Sequence, residues 1–326
     1  MSGTDRLLGL HHVTAIAGPG RRCDHFYTDV LGLRRIKRTV NFDDPATHHL
    51  YYGDRRGTPG TLITFFPWER SEPGQHGTGR ISAIAFAIPE GMSKVWSARL
   101  ADADCDVAAV DDVVGVGVRF QDPDGMVIEL REAPGPAVAE PWIGLPDEPE
   151  AATHPLPPEQ VLMGLAGVRL AVSNPEATAE FLQERLGLLC RPLLQPGSML
   201  RDMVFQAGPD PTGGWLAVMP SQDASRGRFG PGAVHHVALA VEDEDALSYW
   251  RERLVDSRIR VTDIRDRCYF KSIYFREPGG VIFELATRGP GFEIDEPLGL
   301  LGRQLQLPPW LESQRGKLES QLPVID

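Results

Sequence analysis

Residues 10–17 read Leu-His-His-Val-Thr-Ala-Ile-Ala, and residues 234–241 read Val-His-His-Val-Ala-Leu-Ala-Val. Each sets a histidine doublet at the start of an apolar run, and short apolar runs of this kind read as strands. Residues 82–88, Ser-Ala-Ile-Ala-Phe-Ala-Ile, and 165–172, Leu-Ala-Gly-Val-Arg-Leu-Ala-Val, repeat the run without histidine. A helix-like segment follows. The first runs from Asp24 to Leu31 and is closed by Gly32; the third runs from Ala177 to Leu186 and is closed by Gly187. Glycine just past a helix fits a C-terminal cap.

The other ends of the units match as well. Residues 120–130 read Phe-Gln-Asp-Pro-Asp-Gly-Met-Val-Ile-Glu-Leu, and residues 275–285 read Phe-Arg-Glu-Pro-Gly-Gly-Val-Ile-Phe-Glu-Leu. Each is a Pro-Gly turn feeding an apolar strand that carries a glutamate near its end. The chain therefore contains four units, each of strand, helix and then several strands, which makes the fold class α+β. Residues 133–160 hold eight of the 28 prolines and read as a linker. The expected organisation is an N-terminal domain over 6–132, the linker 133–160, a C-terminal domain over 161–288 and a C-terminal arm over 289–326. In the arm, Leu300-Leu301 and Trp310-Leu311 are the patches expected to dock.

Composition narrows the function. The 326 residues are 42% hydrophobic and 24% charged, as in soluble globular proteins. Thirty-three Lys and Arg stand against 45 Asp and Glu, for a formal charge of −12. Such a chain lacks the cationic excess that neutralises phosphates, so neither nucleic acid nor an anionic membrane is an expected partner. Cys23, Cys105, Cys190 and Cys268 form no CxxC pair and read as reduced thiols. No signal-peptide pattern and no 18-residue apolar run is present, which makes the cytoplasm the expected compartment. A small molecule is the expected partner, and self-association into a homo-oligomer is compatible with the composition.

Three polar groups stand out in the apolar strands: His12, His236 and Glu284. An ionised carboxylate in such a strand is costly unless it is paired or bound to a metal. Two imidazoles and one carboxylate form a facial triad that leaves adjacent positions open, as suits non-haem Fe(II). At the first-strand position the four units carry His12, Ala83, Gly167 and His236; units two and four carry Glu129 and Glu284 at the last-strand position. If one complete site exists, only pairing unit one with unit four assembles it. Units two and three then close a second barrel without a site, and Glu129 becomes a structural remnant.

Further stretches carry a family resemblance. Gly9-Leu10-His11-His12-Val13-Thr14, Lys37 through Pro45, and His49-Leu50-Tyr51-Tyr52-Gly53-Asp54 resemble ring-cleaving dioxygenases of the vicinal oxygen chelate superfamily. The similar branch holds the hydroquinone dioxygenases and MhqO-type proteins, and the resemblance spans nearly the whole chain. It implies βαβββ modules, two cup-shaped half-barrels and an Fe(II) centre on His12, His236 and Glu284. It also implies polar groups beside metal and substrate at His11, Arg267 and Tyr274. A tyrosine hydroxyl can donate to a bound oxygen and an arginine can hold developing negative charge. Against His11 stands strand alternation, which points neighbouring residues to opposite faces. His48 and His49 are either pocket-lining or a solvent-facing pair.

The leading expectation is an Fe(II)-dependent dioxygenase that opens a hydroxylated aromatic ring with O₂, hydroquinone-type before catechol-type. Mn(II) fits the same ligands. A glyoxalase-type isomerase or lyase is the alternative on the same fold, but units one and three end in Ile63-Thr64-Phe65-Phe66 and Leu216-Ala217-Val218-Met219 and offer no fourth acidic ligand. A non-catalytic quinone- or drug-binding protein is the third reading.

Overall fold

The structure, a computed structural model, describes residues 6–134, 156–157, 160–191, 203–208, 213–223 and 225–325. Most of the expected linker lies outside these residues.

The first module comprises β1 (Leu10–Ala17), α1 (Gly20–His25), β2 (Arg34–Asn41), β3 (Asp44–Gly53) and β4 (Leu62–Pro67). The second comprises β5 (Arg80–Pro89), α2 (Ser93–Asp102), β6 (Ala108–Asp112), β7 (Gly115–Gln121) and β8 (Val127–Ala133). The third holds β9 (Gly164–Val172), α3 (Pro175–Glu180), β10 (Leu189–Cys190), β11 (Met203–Gln206) and β12 (Trp215–Pro220). The fourth holds β13 (Val234–Val241), α4 (Glu244–Asp256), β14 (Arg265–Asp266), β15 (Phe270–Arg276) and β16 (Ile282–Pro290). A short helix, α5 (Arg315–Gln321), lies in the C-terminal arm.

Local chemistry accounts for these elements. Asp243 caps α4 by accepting from the Ala246 N–H at 2.9 Å, and Ala246, Trp250 and Leu254 then fall on one face, buried against the sheet. Asn174 caps α3 in the same way, with Pro175 at its first turn. The helices after β1 and β9 each continue into a π-helical turn, Phe26–Val30 and Phe181–Arg185. Gly32 and Gly187 follow at φ 72° and 70°, where an L side chain would be strained. The sequence reading thus found both stops, although the first helix starts four residues before Asp24.

The sheets have the strand orders β14-β15-β16-β13-β1-β4-β3-β2 and β10-β11-β12-β9-β5-β8-β7-β6. Module one is joined to module four, and module two to module three. Each sheet therefore takes one module from residues 6–132 and one from 161–288. Within each module the first and last strands run parallel; across each seam, β1 to β13 and β5 to β9, they run antiparallel. Each sheet curls into a half-barrel, and one apolar core runs through both.

All four seam strands carry a β-bulge near the start. The register advances two residues against one at His11 in β1, at His235 in β13, at Ser82 in β5 and at Ala166 in β9. A bulge places its extra residue beside its neighbour instead of on the opposite face. The repeat retains this device even where the histidines are missing.

The arm is pinned to the first sheet by Lys37 of β2. Its ammonium is fully buried, 2.6 Å from Asp295 Oδ1 and 2.5 Å from Glu296 Oε2, and it donates to the Phe292 carbonyl. Leu305, Leu307, Leu311 and Leu318 then pack around Val40. Of the two expected docking patches, Leu301 and Leu311 are buried while Leu300 and Trp310 remain exposed. Removing one partner of a buried ion pair strands the other charge. Lys37→Met should therefore lower stability by about 3–5 kcal/mol, read as a shift in the denaturant midpoint.

Candidate metal centre

β1 and β13 meet at the middle of the first sheet, with β16 beside them. Thr14 pairs with His236, and Ala238 pairs with Glu284, so the register alone draws His12, His236 and Glu284 together. His12 Nε2 lies 3.1 Å from Glu284 Oε2, His236 Nε2 lies 2.8 Å from the same oxygen, and the two Nε2 atoms are 3.4 Å apart. All three side chains are buried, and they form the single such convergence of three His, Cys, Asp or Glu groups among the described residues.

Both Glu284 carboxylate oxygens are shut from solvent, and neither makes a hydrogen bond of ordinary geometry. Burial pushes this carboxyl up, but the facing His12 and His236 outweigh it and hold it well below the usual range. Burial drives His236 down. A buried carboxylate facing bare imidazole nitrogens is the donor set that a divalent first-row metal takes.

The bulges prepare the imidazoles for this. His11 lies against His12, with the two Nδ1 atoms 2.9 Å apart, and His11 Nε2 is 3.1 Å from the Thr287 carbonyl. A carbonyl only accepts, so His11 Nε2 carries the proton. Burial, with His12 beside it, lowers the His11 pKa to about 3 and keeps that ring neutral. Its Nδ1 is then an acceptor, and His12 Nδ1–H must donate to it. The Nε2 lone pair of His12 is left aimed at Glu284. His235 repeats the contact, with its Nδ1 2.7 Å from His236 Nδ1. His11 thus sits behind His12 and fixes its tautomer, and it is not among the residues that line the cavity onto which the triad opens. His235 escaped the sequence reading, although the matching doublet was the signal for it.

The triad opens onto a cavity of about 1220 Å³. Tyr274 of β15 pairs directly with Glu284 and lines this space. Arg267 Nε donates to its hydroxyl at 3.2 Å, and Arg267 Nη2 is 2.8 Å from Asp43 Oδ2. Burial opposes the Arg267 charge, but Tyr274 and Asp43 outweigh it and raise the pKa. Burial pushes the Tyr274 phenol up, so it stays protonated. His49 lines the cavity too, while His48 turns away, its Nε2–H donating to the Pro323 carbonyl at 2.9 Å. Phe66, Phe270, Phe42 and the arm's Trp310 supply aromatic wall.

The second sheet shows what happens to the same position without histidines. Ala85 pairs with Glu129 as Ala238 pairs with Glu284, and Glu129 is equally buried. Arg169 Nε donates to Oε1 at 2.9 Å, Arg131 donates to Oε2 at 2.8 and 2.9 Å, and Arg119 donates to Oε1 at 2.5 and 2.9 Å. Burial opposes ionisation, but these arginines reverse the effect and lower the carboxyl's pKa. At Gly167, the counterpart of His12, a Cβ would fall 2.1 Å from the Trp215 ring, so no imidazole fits. Guanidinium groups do here what a metal would do in the first sheet.

The chain belongs to the Glyoxalase/Bleomycin resistance protein/Dioxygenase superfamily, whose model matches residues 9–130 and 164–285. It is 34% identical over 320 residues to "Putative ring-cleaving dioxygenase MhqO" of Bacillus subtilis, covering 97% of this chain and 96% of that one. It is 32% identical to the chlorohydroquinone/hydroquinone 1,2-dioxygenase of Sphingobium indicum, over 96% and 95% of the two chains. The crystal structure of a Bacillus subtilis putative dioxygenase superposes with a TM-score of 0.88 at 33% identity over 98% of both chains. Maize glyoxalase I shares the fold, with a TM-score of 0.60 at 15% identity over 86% of this chain and 92% of that one.

The two buried glutamates should respond in opposite ways. Glu284→Gln should lose bound metal. Glu129→Gln should keep it, at one ion per chain, yet lose about 3 kcal/mol of stability, because the buried Arg131 and Arg169 are left with Asp112 alone as countercharge. Elemental analysis of the purified variants, with unfolding curves beside it, separates the two effects.

Proposed function

We propose that this chain is a ring-cleaving dioxygenase for hydroxylated aromatic rings, hydroquinone-type before catechol-type, with Fe(II) held by His12, His236 and Glu284. The observation that carries this reading is the three-donor set, two imidazoles and one carboxylate, at the floor of an aromatic-walled cavity. The names of the similar proteins support it. Bound Fe(II) would supply the one-electron chemistry through which O₂ reacts with an aromatic ring.

The remaining work falls to the chain. Phe66 and Phe270 offer flat apolar contact to a substrate ring. Tyr274 takes a hydrogen bond from Arg267 and lines the cavity, where its O–H would donate to a bound oxygen. The Arg267 guanidinium adds fixed positive charge where a phenolate or a carboxylate product would lie, and Asp43 holds its plane.

The glyoxalase-type alternative needs a fourth acidic ligand. The two halves of the first sheet are related by a pseudo-two-fold axis: Thr14 pairs with Thr64 as Ala238 pairs with Glu284. The counterpart of Glu284 in module one is thus a threonine, which favours the three-ligand reading.

Oxygen uptake by anaerobically Fe(II)-loaded protein, assayed against hydroquinones and catechols, tests the proposal. Absence of uptake with every member of the panel would sink it. Tyr274→Phe should keep its iron and lose about 10²–10⁴-fold in turnover, the usual effect of removing a positioned acid–base group. Unchanged kinetics would return Tyr274 to a packing role.

A further inference from the structure

The pseudo-two-fold that relates Thr64 to Glu284 also relates two tyrosines. Tyr274 pairs with Glu284 across β15 and β16; Tyr51 pairs with Thr64 across β3 and β4. Both line the cavity, on opposite flanks of the triad. Tyr274 is backed by Arg267. Tyr51 is backed by His49, whose Nδ1 lies 2.9 Å from the Tyr51 hydroxyl. His49 Nε2 in turn lies 2.8 Å from Thr64 Oγ1, and Thr64 Oγ1 lies 2.9 Å from Thr14 Oγ1. Tyr51, Thr64 and Thr14 are buried. The result is an unbroken polar row across three strands, β3, β4 and β1, ending beside His12.

Such a row is expensive on an otherwise apolar floor unless every member is bonded. It also has two orientations. If Tyr51 O–H donates to His49 Nδ1, then His49 Nε2–H donates to Thr64, and the Tyr51 oxygen can accept from the cavity. If Thr64 O–H donates to His49 Nε2, then His49 Nδ1–H donates to Tyr51, whose O–H is free to donate into the cavity. The imidazole thus sets the polarity of a hydroxyl it presents to substrate.

We propose that Tyr51 binds the ring hydroxyl of a diphenol that lies remote from the triad, and that His49, with Thr64, is the positioning residue that orients it. Three hydrogen bonds, of 2.9, 2.8 and 2.9 Å, and the width of an imidazole ring separate the Tyr51 hydroxyl from Thr14 along this row. That separation suits an oxygen across the ring, as in a 1,4-diphenol, better than the adjacent oxygen of a catechol, which would sit at the triad with its neighbour. The proposal rests on the diphenol reading of the site and adds to it the residues that choose between ring isomers.

The test is binding to Zn(II)-loaded protein, in which the metal has no redox chemistry. Calorimetry with hydroquinone and with phenol compares a ring that has the remote hydroxyl with one that lacks it. Wild type should prefer hydroquinone. Tyr51→Phe and His49→Phe should cut that preference about tenfold, the effect of one lost hydrogen bond, while phenol affinity stays unchanged. His49→Gln, which keeps a donor and an acceptor, should restore part of it and serves should His49→Phe not fold. Wild-type preference in Tyr51→Phe, or no preference in wild type, would overturn the proposal. Failure of the underlying reading would look different: iron-loaded wild type would consume no oxygen with any diphenol.

Discussion

A carboxylate buried in the middle of a sheet must be compensated, and the rest of this molecule is arranged around that requirement. It arises twice, at Glu284 and at Glu129, because the chain repeats one module four times. Near Glu284 the groups set against it are two imidazoles, a donor set that a divalent cation would complete. Near Glu129 the answer is internal, from Arg119, Arg131 and Arg169. The difference between a candidate metal centre and an inert core thus comes down to histidines on the two seam strands of one sheet and arginines on β7, β8 and β9 of the other.

The bulge makes the imidazole solution work. On a regular strand His11 and His12 would face opposite sides of the sheet. The extra residue in β1 puts their rings in contact, and a chain of hydrogen bonds to the Thr287 carbonyl leaves one nitrogen of His12 bare. The same irregularity in β13 brings the rings of His235 and His236 into contact. Where the bulged residues are Ser82 and Ala166, the backbone keeps its kink although no metal chemistry follows.

Around the triad the sheet's two flanks differ in character. One carries Tyr274 and Arg267, which Asp43 meets from the β2–β3 turn of the opposite flank, a charged arrangement suited to anionic oxygen. The other carries a neutral row of hydroxyls and imidazole. The arm, fastened by Lys37, completes the rim by bringing Trp310 against Phe42 at a ring-centroid distance of 5.6 Å.

Much of this was legible in the residues. Four apolar runs in matching contexts, two histidine doublets and two Pro-Gly turns leading to glutamate define the modules, their α+β class and the three donors, because strand patterning and turn chemistry are local properties. The inference that module one meets module four needed only the assumption of a single complete site, and the sheet order agrees with it. What the tertiary structure alone decided is relational. Whether His11 lies beside His12 or opposite it depends on a bulge that no alternation rule reveals. That His49 enters the cavity and His48 leaves it depends on which face of β3 the curled sheet turns inward. Glu129 looks in sequence like a ligand that has lost its partners, and only packing brings three arginines, 10, 2 and 40 residues away along the chain, onto its two oxygens. Residue order sets periodicity, but the choice of partner for a buried charge is made by burial, when strands far apart in the chain are pressed into one sheet.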